Sequence, residues 1–595
     1  MFLRRCERRK DGKRHTYWAL VESYRTARGS RQRVVAYLGE LKPSERSGWA
    51  QLGRRLSGKE KPQRSWFDPP HYEEPFEDEA VLVRLNGVKL ERVRDFGDVW
   101  MAWGLWRLLG LDRLLAELIP PGQEEVPWAT VAAILVIARF CRPQSELHIE
   151  TTWYAQTALD DLLGVPAEKV HTDRLYAGLD MLLPHKEGIE KHLKERLGNL
   201  FDLEYDLLLY DVTSTYFEGE CRANPMAHRG YSRDKRPDCL QVCIGLVVTE
   251  DGFPLGYEVF AGNRNDSTTV QTIVESMERK YGRARRVWVM DRGMVSEANL
   301  KFLRARGGQY IVGTPKAMLR QFEKHLVDKD WEEVQEGVEV KLVPGPDGEE
   351  TFVLARSADR REKEKAMHGR FVERMEEGLR KLQAAAASGR LKDEAVANRR
   401  LGRLQAKNWR AAGAFDVTIE KLKKPQGKAR LRIRFRRNRR WHDWRTLSEG
   451  CYLLRSNLTE APATLWKRYI HLTDAEWAFR INKDELEIRP VWHQRQDRVL
   501  AHILVCFLAY VLWKTLAGWM RGAGLGDAPR ALIEELAKTK SGDVVLPAEP
   551  RHGRQARTIR LRCVTEPDAA QKILLHRLGV HLPRRVRRLE DPIPM

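Results

Sequence analysis

The sequence predicts an α/β protein, a mixed sheet flanked by helices, and three observations carry that prediction. A short apolar run, Leu207-Leu208-Leu209-Tyr210, has the pattern of a strand buried on both faces and leads straight into Asp211. The same pattern returns downstream as Val287-Trp288-Val289-Met290, followed by Asp291. Around these two runs, segments of strand and helical period alternate, the mark of a sheet covered by helices. A carboxylate at the end of a buried strand is costly to desolvate alone, and a divalent cation is one efficient partner. Either aspartate by itself reads better as a cap on the turn after its strand. Two of them, with a third acid on a later helix, favour the metal.

At 595 residues the chain is long enough for several domains with substantial cores. Lys and Arg number 104 against 83 Asp and Glu, a net charge of +21. That excess points to a polyanionic partner, nucleic acid first and an anionic membrane surface second. The membrane fits poorly. The one long apolar stretch, 499–520, is interrupted by His502 and Lys514, and its unbroken part, 503–513, is too short to span. It reads as a core helix. The amino-terminal MFLRRCERRK has charge but no apolar region after it, so no signal peptide is expected. Eight scattered cysteines lack zinc-ligand spacing and read as reduced thiols of a cytosolic protein.

Taken in order, residues 1–40 hold 11 basic residues against 4 acids. Strands over 17–24 and 33–38, joined by the turn Ala27-Arg28-Gly29-Ser30, make a small basic β unit. It either sits on DNA backbone or stands as a solvated hairpin. Residues 41–80, rich in Pro, Gly and charge, read as a linker that completes a first segment, 1–80. Trp100, Trp103, Leu105, Leu108 and Leu109 have helical spacing, as do Val131, Ile134, Ile137 and Phe140. Residues 81–203 are therefore expected to be a helical amino-terminal DNA-binding region. After Asp211, strands over 240–249 and 253–260 are joined by Glu250-Asp251-Gly252. Asn265, Asp266 and Ser267 offer a cap for a helix from about residue 268 to 281. A strand over 286–290, a helix over 296–306 and a strand over 309–313 follow. The order is a strand with an acid, two antiparallel strands, a helix, a strand with an acid, a helix and a strand. That is the order of a ribonuclease H-like core, whose first part occupies 204–313.

From 314 to 450 the pattern breaks into an insertion, β-rich and helical. A charge-dense helical pair spans 360–409, with a turn near 386–390. In ARLRIRFRRNRR, beginning at Ala429, Arg430, Arg432, Arg434 and Arg436 share one strand face and Leu431, Ile433 and Phe435 the other. Residues 421–446 hold 12 basic residues and one acid. Arginines in a row repel one another unless anions sit over them, and DNA phosphates suit that place better than a merely solvated edge. The core resumes over 451–525, with a strand over 451–455, an acid-bearing helix over 464–486 and the apolar helix over 499–519. Residues 526–595 read as a basic carboxy-terminal tail, with 11 basic residues against 4 acids over 551–595.

On the acid-bearing helix, Tyr469-Ile-His-Leu472-Thr-Asp-Ala-Glu476, continuing through Arg480 to Lys483, resembles the Y-x2-R-x3-E-x6-K signature of DDE transposases from bacterial insertion sequences. Tyr469, Glu476 and Lys483 match in type and spacing. Leu472 departs, standing where the signature has Arg, with Arg480 or Arg489 as candidates to make that contact. The likeness covers most of the chain. It runs from MFLRRCERRKDGKRHTYWALVESYR through Asp211-x-Thr213, GYSRDKRPDCLQV (230–242) and VMDRGMVSEANL (289–300) to LEIRPVWH (486–493). The resemblance implies that Asp211, Asp291 and Glu476 fill the D, D and E positions, as catalytic residues and metal ligands. It also implies a β-rich insertion before the acidic helix, which accounts for the long interval between Asp291 and Glu476.

Carried over, the chemistry uses two Mg2+ ions, with Mn2+ able to substitute, held roughly 3.5–4 Å apart by three carboxylates. One ion activates a water or a DNA 3′-hydroxyl and the other stabilises the leaving 3′-oxygen. The expected reactions are hydrolysis that frees the 3′ ends of the element and attack of those ends on target DNA. The expected partners are double-stranded DNA, as terminal inverted repeats and target, and a second copy of the chain when two ends are paired. The expected place is the bacterial cytoplasm, at the nucleoid when on DNA. Lys483, almost two helical turns after Glu476, would hold a phosphate or else is a surface lysine. Tyr469 would contact the same backbone or is a half-buried helical tyrosine. Arg292 and Thr213 read equally as phosphate contacts or as structural residues. Asp266 reads as a helix cap, and His228, His493 and His502, lacking metal spacing, as structural or surface residues. Two rival readings stand: a metal-dependent nuclease that cuts without joining, and a transposase-derived DNA-binding protein without catalysis.

Overall fold

The computed structural model describes residues 2–10, 13–26, 29–39, 81–345, 348, 350–426, 428–548 and 557–590. The expected linker over 41–80, and Ala27 and Arg28 of the expected turn, lie outside the described residues. The chain opens with β1 (Phe2–Lys10), β2 (Lys13–Thr26) and β3 (Gly29–Gly39), an antiparallel meander. β1 was not expected, because its run of charges has no clear period of its own; pairing with β2 completes it. Then come β4 (Lys89–Asp95) and the helices α1 (Gly97–Leu108), α2 (Trp128–Cys141) and α3 (Thr172–Leu182). The next elements are β5 (Leu207–Tyr216), β6 (Gln241–Thr249), β7 (Pro254–Ala261) and α4 (Val270–Tyr281). They are followed by β8 (Val287–Met290), α5 (Glu297–Ala305) and β9 (Gln309–Gly313). The insertion contributes β10 (Glu332–Gln335), β11 (Val338–Pro344), β12 (Thr351–Ser357), α6 (Ala358–Ala387), α7 (Glu394–Lys407), β13 (Phe415–Gln426) and β14 (Ala429–Arg437). After it come β15 (Cys451–Ser456), α8 (Pro462–Ile470), α9 (Leu472–Arg480) and α10 (Gln496–Gly522). The chain ends in β16 (Lys540–Ala548), β17 (Arg557–Val564) and β18 (Arg585–Glu590).

These elements form two units, one of Met1–Tyr205, Asp211–Arg283 and Thr473–Met595, the other of Asp206–Tyr210 and Ala284–Leu472. In the first, α10 is the core. It is long and apolar enough to cross a membrane by length and composition, yet it is buried from Ala501 to Ala517 and packs on α1, α2 and α3. The polar residues that interrupt it are accommodated inside: the Lys514 ammonium donates to the Asp251 carbonyl at 2.8 Å, and the Tyr510 hydroxyl to that of Gly252 at 2.8 Å. Both carbonyls belong to the β6–β7 turn, which Gly252 closes with φ of 76°. The helix therefore grips the hairpin beside the second half of β5. The expected carboxy-terminal tail is instead folded in its described part, with helices over Pro529–Leu536 and Ala569–Leu578 and a sheet in which β18, β17, β16 and β4 pair in that order. Its partner β4 lies far upstream in the sequence, where no local pattern could announce the pairing.

In the second unit the strand order is β10-β11-β12-β15-β9-β8-β5. β5, β8 and β9 run parallel, in a register that sets Tyr210 beside Met290 and Met290 beside Val312. The insertion divides in two. β10, β11 and β12 extend this sheet through β15. β13 and β14 instead form a separate hairpin, whose Leu431 and Ile433 pack with Leu382, Ala386, Leu391 and Ala397. The acid-bearing helix, expected to be continuous, is α8, α9 and a wide turn over Ile481–Glu485, interrupted at His471. No Pro or Gly marks the break, so the period reads straight through it.

Asp98, in the first turn of α1, is 6% exposed, and one of its carboxylate oxygens has no hydrogen-bond partner. Burial, with the charge of Asp95 adding to it, pushes its pKa up from 3.8 to about 6. A carboxyl raised on folding costs stability as pH rises through that interval, and the cost is complete above it. Asp98→Asn is therefore expected to raise stability at neutral pH by about 2–3 kcal/mol. The gain should fade towards pH 4 in thermal unfolding across pH, and a pH-independent change would contradict this.

Candidate active site

β5 does not end at Asp211, as its apolar run suggested. Val212, Thr213, Thr215 and Tyr216, all good strand formers, carry it on to Tyr216. Asp211 is thus a half-buried carboxylate in mid-strand, between the buried Tyr210 and Val212. Its Oδ1 accepts from the Val212 amide at 2.8 Å. The Arg233 guanidinium lies close enough to feel its charge. Arg233 is itself fixed by Asp266, whose two carboxylate oxygens both lie 2.6 Å from Nη2, and its amide donates to the Ser214 hydroxyl at 3.3 Å. Burial works against the charge of Arg233, but Asp266, and then Asp211, hold its pKa above the usual guanidinium value. Asp266 is therefore an anchor for Arg233 and not a helix cap. Asn265 does the capping, accepting from the Ser267 amide at 3.1 Å.

The neighbouring Asp234 is almost fully buried and binds two cations, Lys483 at 2.8 Å and Arg489. Burial pushes the Lys483 pKa below its ordinary value, the positive charges of Arg489 and Arg233 adding to that effect while Asp234 opposes it. Lys483 also lines a small cavity of about 20 Å³ with Thr213, Phe479 and Asn482. So the lysine of the signature is tied to the β5–β6 connection. Glu476 is exposed on α9, next to the half-exposed Trp477. Leu472 is buried at the start of that helix. Arg480 stacks over Trp477 at 5.0 Å, and Arg489 reaches Asp484 at 3.0 Å as well as Asp234.

In the second unit, Asp291 follows β8 and opens the turn Arg292–Met294 without capping it through its side chain. The turn-cap explanation fails for this residue. Asp291 and Arg292 line a cavity of about 1040 Å³ together with Lys316, Arg360, Arg410 and Tyr469. A Cβ on Gly313, at the end of β9, would lie 2.5 Å from the Tyr469 hydroxyl and 3.3 Å from the Arg292 amide. The bare backbone there lets Tyr469 reach the turn that carries Asp291. On β14, Arg430, Arg434 and Arg436 are exposed and Arg432 is half-buried, opposite the buried Leu431 and Ile433. Acids on β13 meet this row: Glu420 pairs in register with Arg432 and Asp416 with Arg436, the latter carboxylate 3.3 Å from Nε. The sequence alone did not show those acids, since the two strands meet only through their hairpin.

Asp211, Thr213, Glu476 and Lys483 thus belong to the first unit, and Asp291, Arg292, Tyr469 and the β14 arginines to the second. Arg233 and Asp234 were missed as site residues, although the charge run Ser232-Arg-Asp-Lys-Arg236 between two strands was the available signal. The expectation that His493 and His502 lack metal-type partners also fails. Their ligand atoms and that of Glu146 all lie within 4.8 Å of one another. The spacing that matters runs through Glu146, far upstream. His228 is exposed and pairs through its main chain with Gln241.

Comparison with known families gives the class of enzyme. Residues 202–512 match the model for the transposase DDE domain, and the chain belongs to that family. Residues 3–68 match the N-terminal domain of IS1634 family transposases, which makes it a DDE transposase of an insertion sequence. No curated protein sequence matches it. Among solved structures it is similar to the piggyBac transposase synaptic complex with hairpin DNA, seen by cryo-EM. The TM-score is 0.34 and the identity 9%, over 75% of this chain and 80% of that one.

Asp234→Asn removes the counter-charge of two cations held at a buried position. It is expected to cost about 3–5 kcal/mol, read by thermal or denaturant unfolding. Adding Lys483→Met should recover part of that loss in a double-mutant cycle. An Asp234→Asn protein as stable as the parent would mean that the pair is not the anchor described.

Proposed function

We propose that this transposase catalyses metal-dependent cleavage at the ends of its insertion sequence and transfers the freed 3′ ends to target DNA, with Asp211, Asp291 and Glu476 as its catalytic acids. The observation that carries this reading is the register of the parallel pair β5 and β8. Tyr210 stands beside Met290, and in each strand the next residue is the aspartate. A ribonuclease H-like core is supported by the parallel β5, β8 and β9 and by the antiparallel β6–β7 hairpin. The donors suit a hard divalent cation: three carboxylates, one half-buried in a strand and one whose side chain is not used for capping. Mg2+, or Mn2+ in its place, would be held by Asp211, Asp291 and Glu476, and when bound would activate the attacking water or 3′-hydroxyl and stabilise the leaving oxygen.

The chain's own groups do the rest. Arg233, held by Asp266, sets a positive charge close to Asp211. Lys483 and Arg489, tied to Asp234, fix the turn that follows α9 and so orient the helix bearing Glu476. Tyr469, Arg292 and Lys316 offer a hydroxyl and two positive charges to DNA backbone beside Asp291. Arg430, Arg432, Arg434 and Arg436 offer a basic row to phosphates further along. The partners are double-stranded terminal repeats and target DNA, handled by two copies of the chain in the bacterial cytoplasm.

With a labelled element end and a target plasmid, Asp211→Asn, Asp291→Asn and Glu476→Gln should each abolish cleavage and strand transfer while DNA binding persists. Undiminished cleavage by Asp211→Asn would refute the catalytic assignment. Cleavage without joining of a precut end would favour the nuclease reading, and binding without either reaction the non-catalytic one. Replacing Arg430 and Arg434 by Gln should lower the slope of log K against log salt by about 1–2, and an unchanged slope would remove the β14 row from the DNA contact.

A further inference from the structure

The first unit holds a second set of ligand-type side chains away from the acids. Glu146 lies in the turn after α2, His493 in the stretch between α9 and α10, and His502 on α10. Glu146 Oε1 is 3.4 Å from His493 Nε2, and the two imidazole rings are 5.4 Å apart at 57°. The side chains of Glu146 and His493 are only 9% and 10% exposed, and His502 is 6% exposed. An ion pair accounts for Glu146 and His493 alone. It leaves out the second imidazole brought to the same buried spot, that of His502, whose Nε2 lies 3.4 Å from the Ile488 carbonyl and 3.7 Å from Cys506 Sγ. Ligands around a tetrahedral zinc at 2.0–2.1 Å stand about 3.3 Å apart. The Glu146–His493 contact is already at that distance, and the widest separation in the group, within 4.8 Å, closes with movements of about 1 Å.

We propose that Glu146, His493 and His502 bind a first-row divalent cation, Zn2+ foremost, at a structural site separate from Asp211, Asp291 and Glu476. Two imidazoles and a carboxylate suit such an ion, whereas an all-oxygen set suits Mg2+. Cys506, one helical turn after His502, has its Sγ 3.7 Å from His502 Nε2 but stands outside the group of three, so water would complete the coordination. The opposing charge nearby is Arg139, whose guanidinium donates to the carbonyls of Gln144 and Glu487 at 3.1 and 3.4 Å. The carboxylate offsets it. Tyr176 packs edge-on against His493, with ring centroids 5.8 Å apart, and orients it.

Bound there, the ion would clasp the turn after α2 and α10 to the stretch that carries Arg489 and Val491. Arg489 binds Asp234, and the Val491 amide donates to the Tyr216 carbonyl of β5 at 2.9 Å. The site would thus stiffen the support of the catalytic strand without touching substrate.

The test uses the full-length protein, stripped with chelator and titrated with Co2+ and then Zn2+ in excess Mg2+. One equivalent of Co2+ should give the visible absorption of a tetrahedral site with nitrogen and oxygen ligands, and Zn2+ should displace it. Glu146→Gln and His493→Gln should each lose that equivalent, Asp211→Asn should keep it, and Zn2+ should raise the melting temperature of the parent but not of the two cluster variants. No visible band in the parent protein would overturn the proposal even if the variants fail to fold. So would a band lost with Asp211→Asn and kept with His493→Gln.

Discussion

A carboxylate in the middle of a strand buried on both faces is the constraint from which the first unit follows. Leu207 to Tyr210 on one side of Asp211 and Val212 to Thr215 on the other are buried, so the charge has little water to lean on. Arg233 answers it, but a partly buried guanidinium needs its own counter-charge, and Asp266 supplies one through both oxygens. The next residue, Asp234, repeats the logic with the sign reversed, its carboxylate held by Lys483 and Arg489. Each ion is tolerable only because the next is present. The five side chains come from the β5–β6 connection, the start of α4 and the segment after α9, and their shared electrostatics hold those three segments at the strand. Breaking any one link leaves an unmatched buried charge, which costs far more than an intact pair contributes.

The second unit solves a different problem, which is to leave a carboxylate accessible. Asp291 is exposed at the end of β8, and the turn after it makes no use of its side chain. Access is kept by what is missing nearby. Gly313 has no side chain to fill the space that the Tyr469 hydroxyl occupies, and the cavity beyond is lined by side chains of both signs, Arg292, Lys316, Arg360, Arg410 and Arg445 with Glu336, Asp359 and Glu364 as well as Asp291. The β14 row is less simply basic than its sequence, because Glu420 and Asp416 stand across from two of its arginines.

Much of this was legible in the chain, for a physical reason in each case. β5 and β8 announced themselves because strands buried on both faces need unbroken apolar runs. The β6–β7 hairpin was legible from Glu250-Asp251-Gly252, since the turn demands the positive φ that Gly252 adopts. The β14 alternation was legible because one face of that strand had to be covered by α6 and α7. What stayed hidden depends on partners distant in sequence. The four-stranded sheet joins β4, at residues 89–95, to β16, β17 and β18 more than 400 residues later. The Arg233–Asp266 and Lys483–Asp234 pairs join loops that no periodicity links. Glu146, His493 and His502 meet although only two of them share even a neighbourhood of sequence. The strand through Asp211 was read one half short, because a charge was taken as its end when a nearby guanidinium let it continue.

The break at His471 changes what the spacing of tyrosine, glutamate and lysine means. On one straight helix, Tyr469, Glu476 and Lys483 would share a face and act as a row. Here Tyr469 lies on α8, Glu476 on α9 and Lys483 in the wide turn beyond. Tyr469 ends up against Gly313 and the Asp291 turn, and Lys483 against Asp234 beside β5. The glutamate sits on the helix between them. The two ends of the spacing are therefore fixed by different partners, each within its own unit: a tyrosine hydroxyl over a bare glycine at one end and a buried ion pair at the other. Residue types at fixed intervals record which side chains are held, and a straight helical face is only one way to hold them.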